Sequence, residues 1–555
     1  MKQDPDRNAM PHRVELQIEG MHCDHCNLSV GAALQRAGLE DVAVDWRRGT
    51  ASGTPAAGFS AEGMGREVAA AGYTLASIAK TGDQDVAAHP QDQYDLVILG
   101  GGSAAFGAAI KARDLGASVA MVERDIIGGT CVNVGCVPSK ALLRAAEAFW
   151  RAGHNPFAGV PTWAGEVDFK ALVNQKQELV DQFRQEKYSD LIDFYGIDFI
   201  EGEARFVDHE TIEVEGRRLR AFRYLIATGA DPWIPPIAGI EDVEYLTSTS
   251  ALELEAVPGR LLVVGANAIG LELGQLFLHL GSEVTLVEAL ERIAPFEEPE
   301  ISGALHHHLE QQGATIYTGA RATAAGRVDE RVWLEVELDG AGTRIEADRM
   351  LIATGRRART AGLGLGAAGV EVDSQDRIQV DATLQSTNPS VFAAGDVTAH
   401  PQFVYVAARG GSIAAENALR GTSRKIDFGT MPRVTFTTPS VASVGMTEAE
   451  ALDAGHRVMT SILPLDVVPR ALVDHAAEGL VKLVADEVTG RLLGAHVLAE
   501  GAGDVIQAAV MALRYRATVD EIADTYHPYL TMAEALKLAA QAFRKDPRTL
   551  SCCAA

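Results

Sequence analysis

Gly128-Gly129-Thr130-Cys131-Val132-Asn133-Val134-Gly135-Cys136-Val137-Pro138-Ser139-Lys140 decides how this chain is read. Four residues separate its two cysteines. Five residues of regular helix rise about 7.5 Å, beyond the ~7 Å Cα separation that a disulfide tolerates. A bridged pair here excludes one unbroken helix, and Gly135 is the place for a distortion. A helix over Pro138 to Trp150 would then aim its positive end at the sulfurs and favour the thiolate. Upstream, the apolar run Tyr94 to Leu99 leads into Gly100-Gly101-Gly102-Ser103-Ala104-Ala105. A glycine turn between strand and helix seats a pyrophosphate on the helix N-terminus, and Ala105 is allowed at the third position. Glu123 follows the next apolar strand, Ser118 to Val122, where an acid bonds a ribose hydroxyl. A thiol pair directly after a dinucleotide site points to electrons passing between a flavin and a disulfide.

The same pattern returns downstream. Arg260–Glu288 repeats Tyr94–Glu123: apolar strand, glycine turn, helix, Leu-Gly, strand, glutamate. Leu225-Ile226-Ala227-Thr228-Gly229 likewise repeats as Leu351-Ile352-Ala353-Thr354-Gly355. Two such units imply two dinucleotides. The second turn runs from Gly265 to Gly270, with Asn267 at the middle glycine position. Glu288 suits a free ribose 2′-hydroxyl and hence NADH, whereas nearby Arg292 suits a 2′-phosphate, so NADH and NADPH both stay open.

The flanks read differently. Residues 12–79 form a small module: Val14 to Ile18 alternates, helical patterns cover His25 to Ala37 and Ser60 to Ala71, and Val42 to Trp46 and Tyr73 to Ile78 read as strands. The order expected is β-α-β-β-α-β, the ferredoxin-like arrangement. Residues 80–93 are polar and aperiodic, a linker. Past about Phe428 the glycine turns stop. Strands are expected at Val434 to Thr437, Leu480 to Val484 and Gly494 to Leu498, and helices at Gly503 to Tyr515 and Thr531 to Phe543. The expected fold class is α/β, with two Rossmann-like domains, an α+β dimerisation domain and the ferredoxin-like module. The boundaries are 94–240 with 358–428 for FAD, 241–357 for NAD(P)H, and 429–555 for dimerisation.

Bulk properties narrow the partners. The net charge of -26 argues against a nucleic-acid partner, which would need a basic face. No run of about 18 apolar residues appears, and Met1 to Arg13 lacks an apolar signal core, which reads as cytoplasmic. The six cysteines fall in three close pairs: Cys23/Cys26, Cys131/Cys136 and Cys552/Cys553. Local pairs in a long chain suggest metal or redox chemistry rather than a secreted scaffold. The run His306-His307-His308 reads as a solvated helix patch rather than a metal site.

With Val391-Phe392-Ala393-Ala394-Gly395-Asp396 added, residues 94–555 resemble the pyridine nucleotide-disulfide oxidoreductase family. The resemblance implies FAD, with Gly395 and Asp396 at its ribityl-phosphate region. It further implies that Gly100, Gly102, Ala105, Glu123 and Ala204 lie toward the adenosine half. Thr130, Lys140 and Val404 lie near the ring. Cys136 is implied to face the flavin and Cys131 to exchange with substrate. Many members carry a histidine five residues before a C-terminal glutamate as acid/base. Here that position before Glu534 is Tyr529, while His527 is seven away. A phenol of pKa ~10 shuttles protons poorly near neutrality, which counts against lipoamide, glutathione or trypanothione as substrate.

Gly20-Met21-His22-Cys23-Asp24-His25-Cys26 resembles the metal loop of heavy-metal-associated domains, two thiolates for one soft ion. Cys552-Cys553 on a terminal tail cannot bridge without strain and reads as a transfer hand. Three such pairs resemble the mercury-reducing branch of the family. That implies a homodimer reducing Hg(II) to Hg(0) with NADPH or NADH. Hg(II)–thiol complexes would be the substrate, with a membrane mercury transporter as a possible donor. Tyr188 and Tyr529 would line the inner site. The rivals are a dihydrolipoamide- or glutathione-type reductase, and a metal-trafficking protein whose working part is the module.

Overall fold

The computed structural model describes residues 14–21, 24–46, 48–56, 61–80 and 93–549. The chain divides into two compact units, Met1–Gln93 and Tyr94–Ala555. The first contains strand Val14–Glu19, helix Asp24–Arg36, strands Leu39–Asp45 and Thr50–Pro55, helix Ala61–Ala70 and strand Thr74–Lys80. The antiparallel sheet places the first strand between Thr50–Pro55 and Thr74–Lys80. Val14, Leu16 and Ile18 point inward at every second position, against Val30, Leu34, Met64 and Val68 from the helices. Thr50–Pro55 had no apolar alternation to announce it. Most of residues 80–93, the expected linker, lies outside the described residues.

The second unit opens with parallel strands Gln93–Leu99, Val119–Glu123 and Asp198–Glu201, linked through a helix at Ser103–Asp114. This is the first nucleotide helix. Arg217–Ile226 extends the sheet and pairs in parallel with Val391–Ala393. The chain thus returns to its first sheet after building another. That other sheet orders Thr315–Tyr317, Glu283–Val287, Arg260–Val264 and Arg349–Ile352 in parallel. Its crossover, Ala268–His279, is the second nucleotide helix. A three-stranded meander, Arg321–Ala347, shares its core through Leu334 and Val336.

A five-stranded antiparallel sheet closes the chain, in the order Arg433–Thr435, Ser440–Gly445, Leu492–Ala499, Leu480–Asp486, Val458–Pro464. Helices Ala502–Arg514, Val519–Asp524 and Glu534–Gln541 accompany it. The last is shorter than the expected Thr531 to Phe543. Lys482, 1% exposed, joins this domain to the second nucleotide domain. Its Nζ lies 3.0 Å from Glu298, 2.9 Å from Glu300 and 2.8 Å from Glu448. A buried ammonium needs that much company, because desolvation would otherwise expel its charge.

The helix Cys136–Gly153, the thiol helix, packs along the second nucleotide helix. Near its start, Lys140 Nζ meets Glu272 Oε2 at 2.6 Å. Near its end, Trp150 stacks between His154 and His279, with ring centroids 3.6 and 4.9 Å away. Among the described residues no helix is long and apolar enough to cross a membrane.

Candidate active site

The first glycine turn is forced by close approach. Gly100 has φ +116°, and a Cβ placed on it would stand 2.4 Å from Ala227 O. The repeated Ala-Thr-Gly segment is therefore the wall against which the turn is pressed. Gly102 caps the first nucleotide helix in extended backbone. Glu123 fixes the turn: Oε2 accepts from Gly101 N at 2.6 Å and Oε1 from Asp125 N at 3.0 Å. Ala105 is fully buried.

The thiol segment is tied to this turn. Gly128 N donates to Gly101 O at 2.8 Å, and a Cβ on Gly129 would stand 2.7 Å from Gly102 Cα. Gly129–Asn133 makes one short helix, the chain breaks at Val134 and Gly135, and the thiol helix begins at Cys136. The helix expected from Pro138 thus starts two residues earlier, so Cys136 is its first residue rather than a group ahead of it. Gly135 is the distorted residue (φ −129°, ψ −111°), and a Cβ there would stand 2.9 Å from Thr130 O.

The break brings the two sulfurs into hydrogen-bond contact as free thiols. Cys136 is lowered to about 7, chiefly by accepting the Cys131 S–H, then by the Lys140 cation and its own helix N–H. Cys131 moves upward, because it donates that bond and is buried. Cys136 is therefore the thiolate and Cys131 the protonated partner.

Around the pair stand groups the sequence named and groups it missed. Tyr188 lies on a π-helical turn, Gln185–Ser189, edge-on to Phe106 at 4.9 Å. Burial raises its phenol, its bond to Ser103 opposes that, and both cysteines add to the rise. Asp396 is partly buried and raised by desolvation, with Arg356 Nε 3.9 Å away. Val404 begins a helix, Val404–Arg420, that crosses the first nucleotide helix at glycines: a Cβ on Gly411 would stand 1.9 Å from Ala104 O. Ala204 is buried in strand Ala204–Phe206.

The sequence reading missed Glu272, Arg356 and Tyr405. Glu272 bridges three domains, accepting from Lys140 and, through Oε1, from Phe436 N at 2.9 Å. An acid inside the apolar run Gly270 to Leu273 was its signal. Arg356 follows the second Ala-Thr-Gly; it bonds Ala230 O and, at 3.4 Å, Thr130 Oγ1, while its buried Nε, 3.9 Å from Asp396, has no hydrogen-bond partner. Tyr405 donates to Pro432 O at 2.5 Å and is pushed up to about 12 by burial, with Cys136 adding to it. These features fit FAD: a turn too tight for a Cβ, a helix N-terminus for the pyrophosphate, and Arg356 Nε left for a polar ligand.

The second turn copies the first. Gly265 has φ +100°, and a Cβ on Gly270 would stand 1.8 Å from Gly265 O. Asn267 lies in extended backbone, so this position does not demand glycine. Glu288 accepts from Ala266 N at 2.8 Å and Leu290 N at 2.9 Å.

Several expected residues stand elsewhere. Cys26 is buried in the first turn of its module's helix, while Cys23, Cys552 and Cys553 lie outside the described residues. Tyr529 is 54% exposed ahead of Glu534–Gln541, and His527 Nδ1 contacts Thr525 O. The triple-histidine run is not uniformly solvated. His308 is tucked in, 3.2 Å from Glu478 and 2.9 Å from Gln312, because its side of the helix faces the C-terminal domain.

Two nucleotide folds flanking a dithiol define a reductase of the flavin-disulfide type. Residues 94–411 match the pyridine nucleotide-disulphide oxidoreductase family and residues 431–540 its dimerisation domain. The chain belongs to that family, and the dimerisation domain supports a homodimer. It is 47% identical to the mercuric reductase of Lysinibacillus sphaericus, over 98% of this chain and 100% of that one. It is 48% identical to that of Staphylococcus aureus, over 97% and 99%. With the enzyme of Streptomyces lividans the identity is 50%, over 83% and 98%. Among solved structures, the HOCl-induced flavoprotein disulfide reductase RclA of Escherichia coli is similar (TM-score 0.73, 30% identity, covering 81% and 99%). LpdA of Mycobacterium tuberculosis matches with TM-score 0.73 at 27% identity, covering 82% and 100%.

Proposed function

We propose that the protein reduces Hg(II) to Hg(0) with NAD(P)H, and that Cys131 and Cys136 are its redox pair. The balance is NAD(P)H + Hg(II) → NAD(P)+ + Hg(0) + H+. The observation that carries the reading is the pair itself, a thiolate beside a thiol, buried next to a flavin cradle. Near full-length likeness to mercuric reductases supports the metal. FAD, when bound, carries the electron pair between nicotinamide and sulfur.

The chain's own residues do the rest. The glycine turn and Glu123 hold the dinucleotide. Lys140 stabilises the Cys136 thiolate, and Glu272 holds Lys140 in place. Cys136 and Cys131 bind Hg(II) as two soft ligands at the near-linear geometry that this ion accepts. The ion takes up the two electrons that NAD(P)H supplies, and Hg(0) leaves because it binds thiolate weakly. Both sulfurs are left reduced, with Cys131 free to regain its proton, ready for the next ion. Hg(II) reaches them as a dithiol complex. Cys23 and Cys26 collect it, and Cys552 and Cys553 of the partner subunit pass it inward past Tyr188 and Tyr529. A membrane mercury transporter is a fitting source, with the enzyme in the cytoplasm.

Tyr529 sets this apart from a dihydrolipoamide- or glutathione-type reductase, because a phenol replaces the imidazole that dithiol exchange uses. The test is anaerobic NAD(P)H oxidation with Hg(II) and excess small thiol, against lipoamide and oxidised glutathione. Hg(II) alone should support rapid turnover. Faster oxidation with either disulfide would replace this reading with the other.

A further inference from the structure

The second nucleotide site leaves its donor open in sequence, and its geometry narrows the choice. The two glycine turns repeat each other atom by atom. A Cβ on Gly100 would stand 2.4, 2.8 and 3.2 Å from Ala227 O, Ala227 C and Thr228 N. A Cβ on Gly265 would stand 2.5, 2.8 and 3.2 Å from Ala353 O, Ala353 C and Thr354 N. The acids repeat too. Glu123 accepts from Gly101 N and from Asp125 N, two residues beyond itself. Glu288 accepts from Ala266 N and from Leu290 N, again two residues beyond. The first site fits FAD, whose adenosine ribose carries a free 2′-hydroxyl. A copy of that frame presents the same carboxylate to the same ribose edge.

Glu288 is also unable to step aside. It is 8% exposed, and each of its oxygens holds a backbone N–H. Rotating the carboxylate away would strand two donors in a buried turn. A 2′-phosphate dianion would therefore meet a fixed negative charge. Arg292, the cation that sequence offered as its counter-charge, turns its Nη2 to Pro295 O at 3.3 Å.

We infer that the electron donor is NADH, selected against NADPH by the immobilised Glu288 carboxylate. The inference rests on the two-nucleotide reductase reading and is independent of the metal reduced.

Calorimetric titration of the FAD-loaded enzyme with ADP-ribose and with 2′-phospho-ADP-ribose tests it without turnover. ADP-ribose should bind at least about 100-fold more tightly, the scale of a buried like-charge contact. Comparable affinities, or a reversed order, would overturn the selection while leaving the nucleotide site intact. Failure of both ligands to bind would overturn the nucleotide site itself. Glu288→Gln keeps one acceptor and removes the charge, and it should improve 2′-phospho-ADP-ribose binding about tenfold. A variant that keeps its FAD but shows no such gain assigns any discrimination to another group and sinks the role of Glu288. The kcat/KM ratio of NADH to NADPH, with Hg(II) in excess, should follow the binding ratio.

Discussion

At the level of single residues, Cys136 carries the clearest electrostatic signature. With Cys131 as donor and Lys140 nearby, its thiol is lowered to about 7. The two-electron-reduced holoenzyme should therefore show a long-wavelength thiolate-to-flavin band. The thiolate is the electron donor, so the band should grow as pH rises and reach half its height near pH 7. Cys136→Ala should abolish it. Lys140→Met should move the midpoint upward by about one pH unit, because a cation that favours the charged form is gone. A pH titration of the absorbance checks all three, and a band that survives in Cys136→Ala would assign the thiolate elsewhere. Sequence named Cys131, Cys136 and Lys140 because their spacing is local. It missed Glu272 because only folding brings that residue, 132 positions away, against Lys140.

Among the elements, two helices meet where no side chain fits. A Cβ on Gly107 would stand 2.3 Å from Ala408 O, and one on Gly411 1.9 Å from Ala104 O. The first nucleotide helix and Val404–Arg420 thus cross backbone to backbone, which sets where their N-termini lie at the flavin cradle. Gly411→Ala should destabilise the protein by about 1–3 kcal/mol through overpacking and weaken FAD retention. Gly303→Ala, in helix Pro299–Gln311 with nothing within 4 Å, should instead stabilise by about 0.5–1 kcal/mol. Thermal unfolding and FAD content after desalting separate the two, and equal behaviour would refute the crossing argument. The glycine turns and their strands were legible because pyrophosphate seats demand a fixed pattern. Thr50–Pro55 was not, since its two buried positions are the small residues Ala51 and Gly53. Ser440–Gly445 and Val458–Pro464 were missed as well: one is short and small-residue-rich, and the other has only Ser461 and Leu463 buried.

For the whole molecule, the division near residue 93 was legible from a polar, aperiodic stretch, and the compact units divide there. A site shared between subunits is implied by the resemblance alone, since Cys552 and Cys553 follow the last described residue. A heterodimer tests it. One subunit lacks only Cys552 and Cys553, and the other lacks only Cys131 and Cys136. If the tail serves the partner's inner pair, one complete site survives and thiol-bound Hg(II) is still turned over. A folded, FAD-loaded but inactive heterodimer would mean that each tail serves its own subunit. The thiol helix has a further consequence. It is bolted to the second nucleotide helix at two places, by Lys140–Glu272 near one end and the Trp150–His279 stack near the other. Two fasteners along one line remove the hinge that many two-domain enzymes close over their substrates. The thiol helix and the second nucleotide helix are consequently held in one register at both ends, so a movement of either carries the other with it.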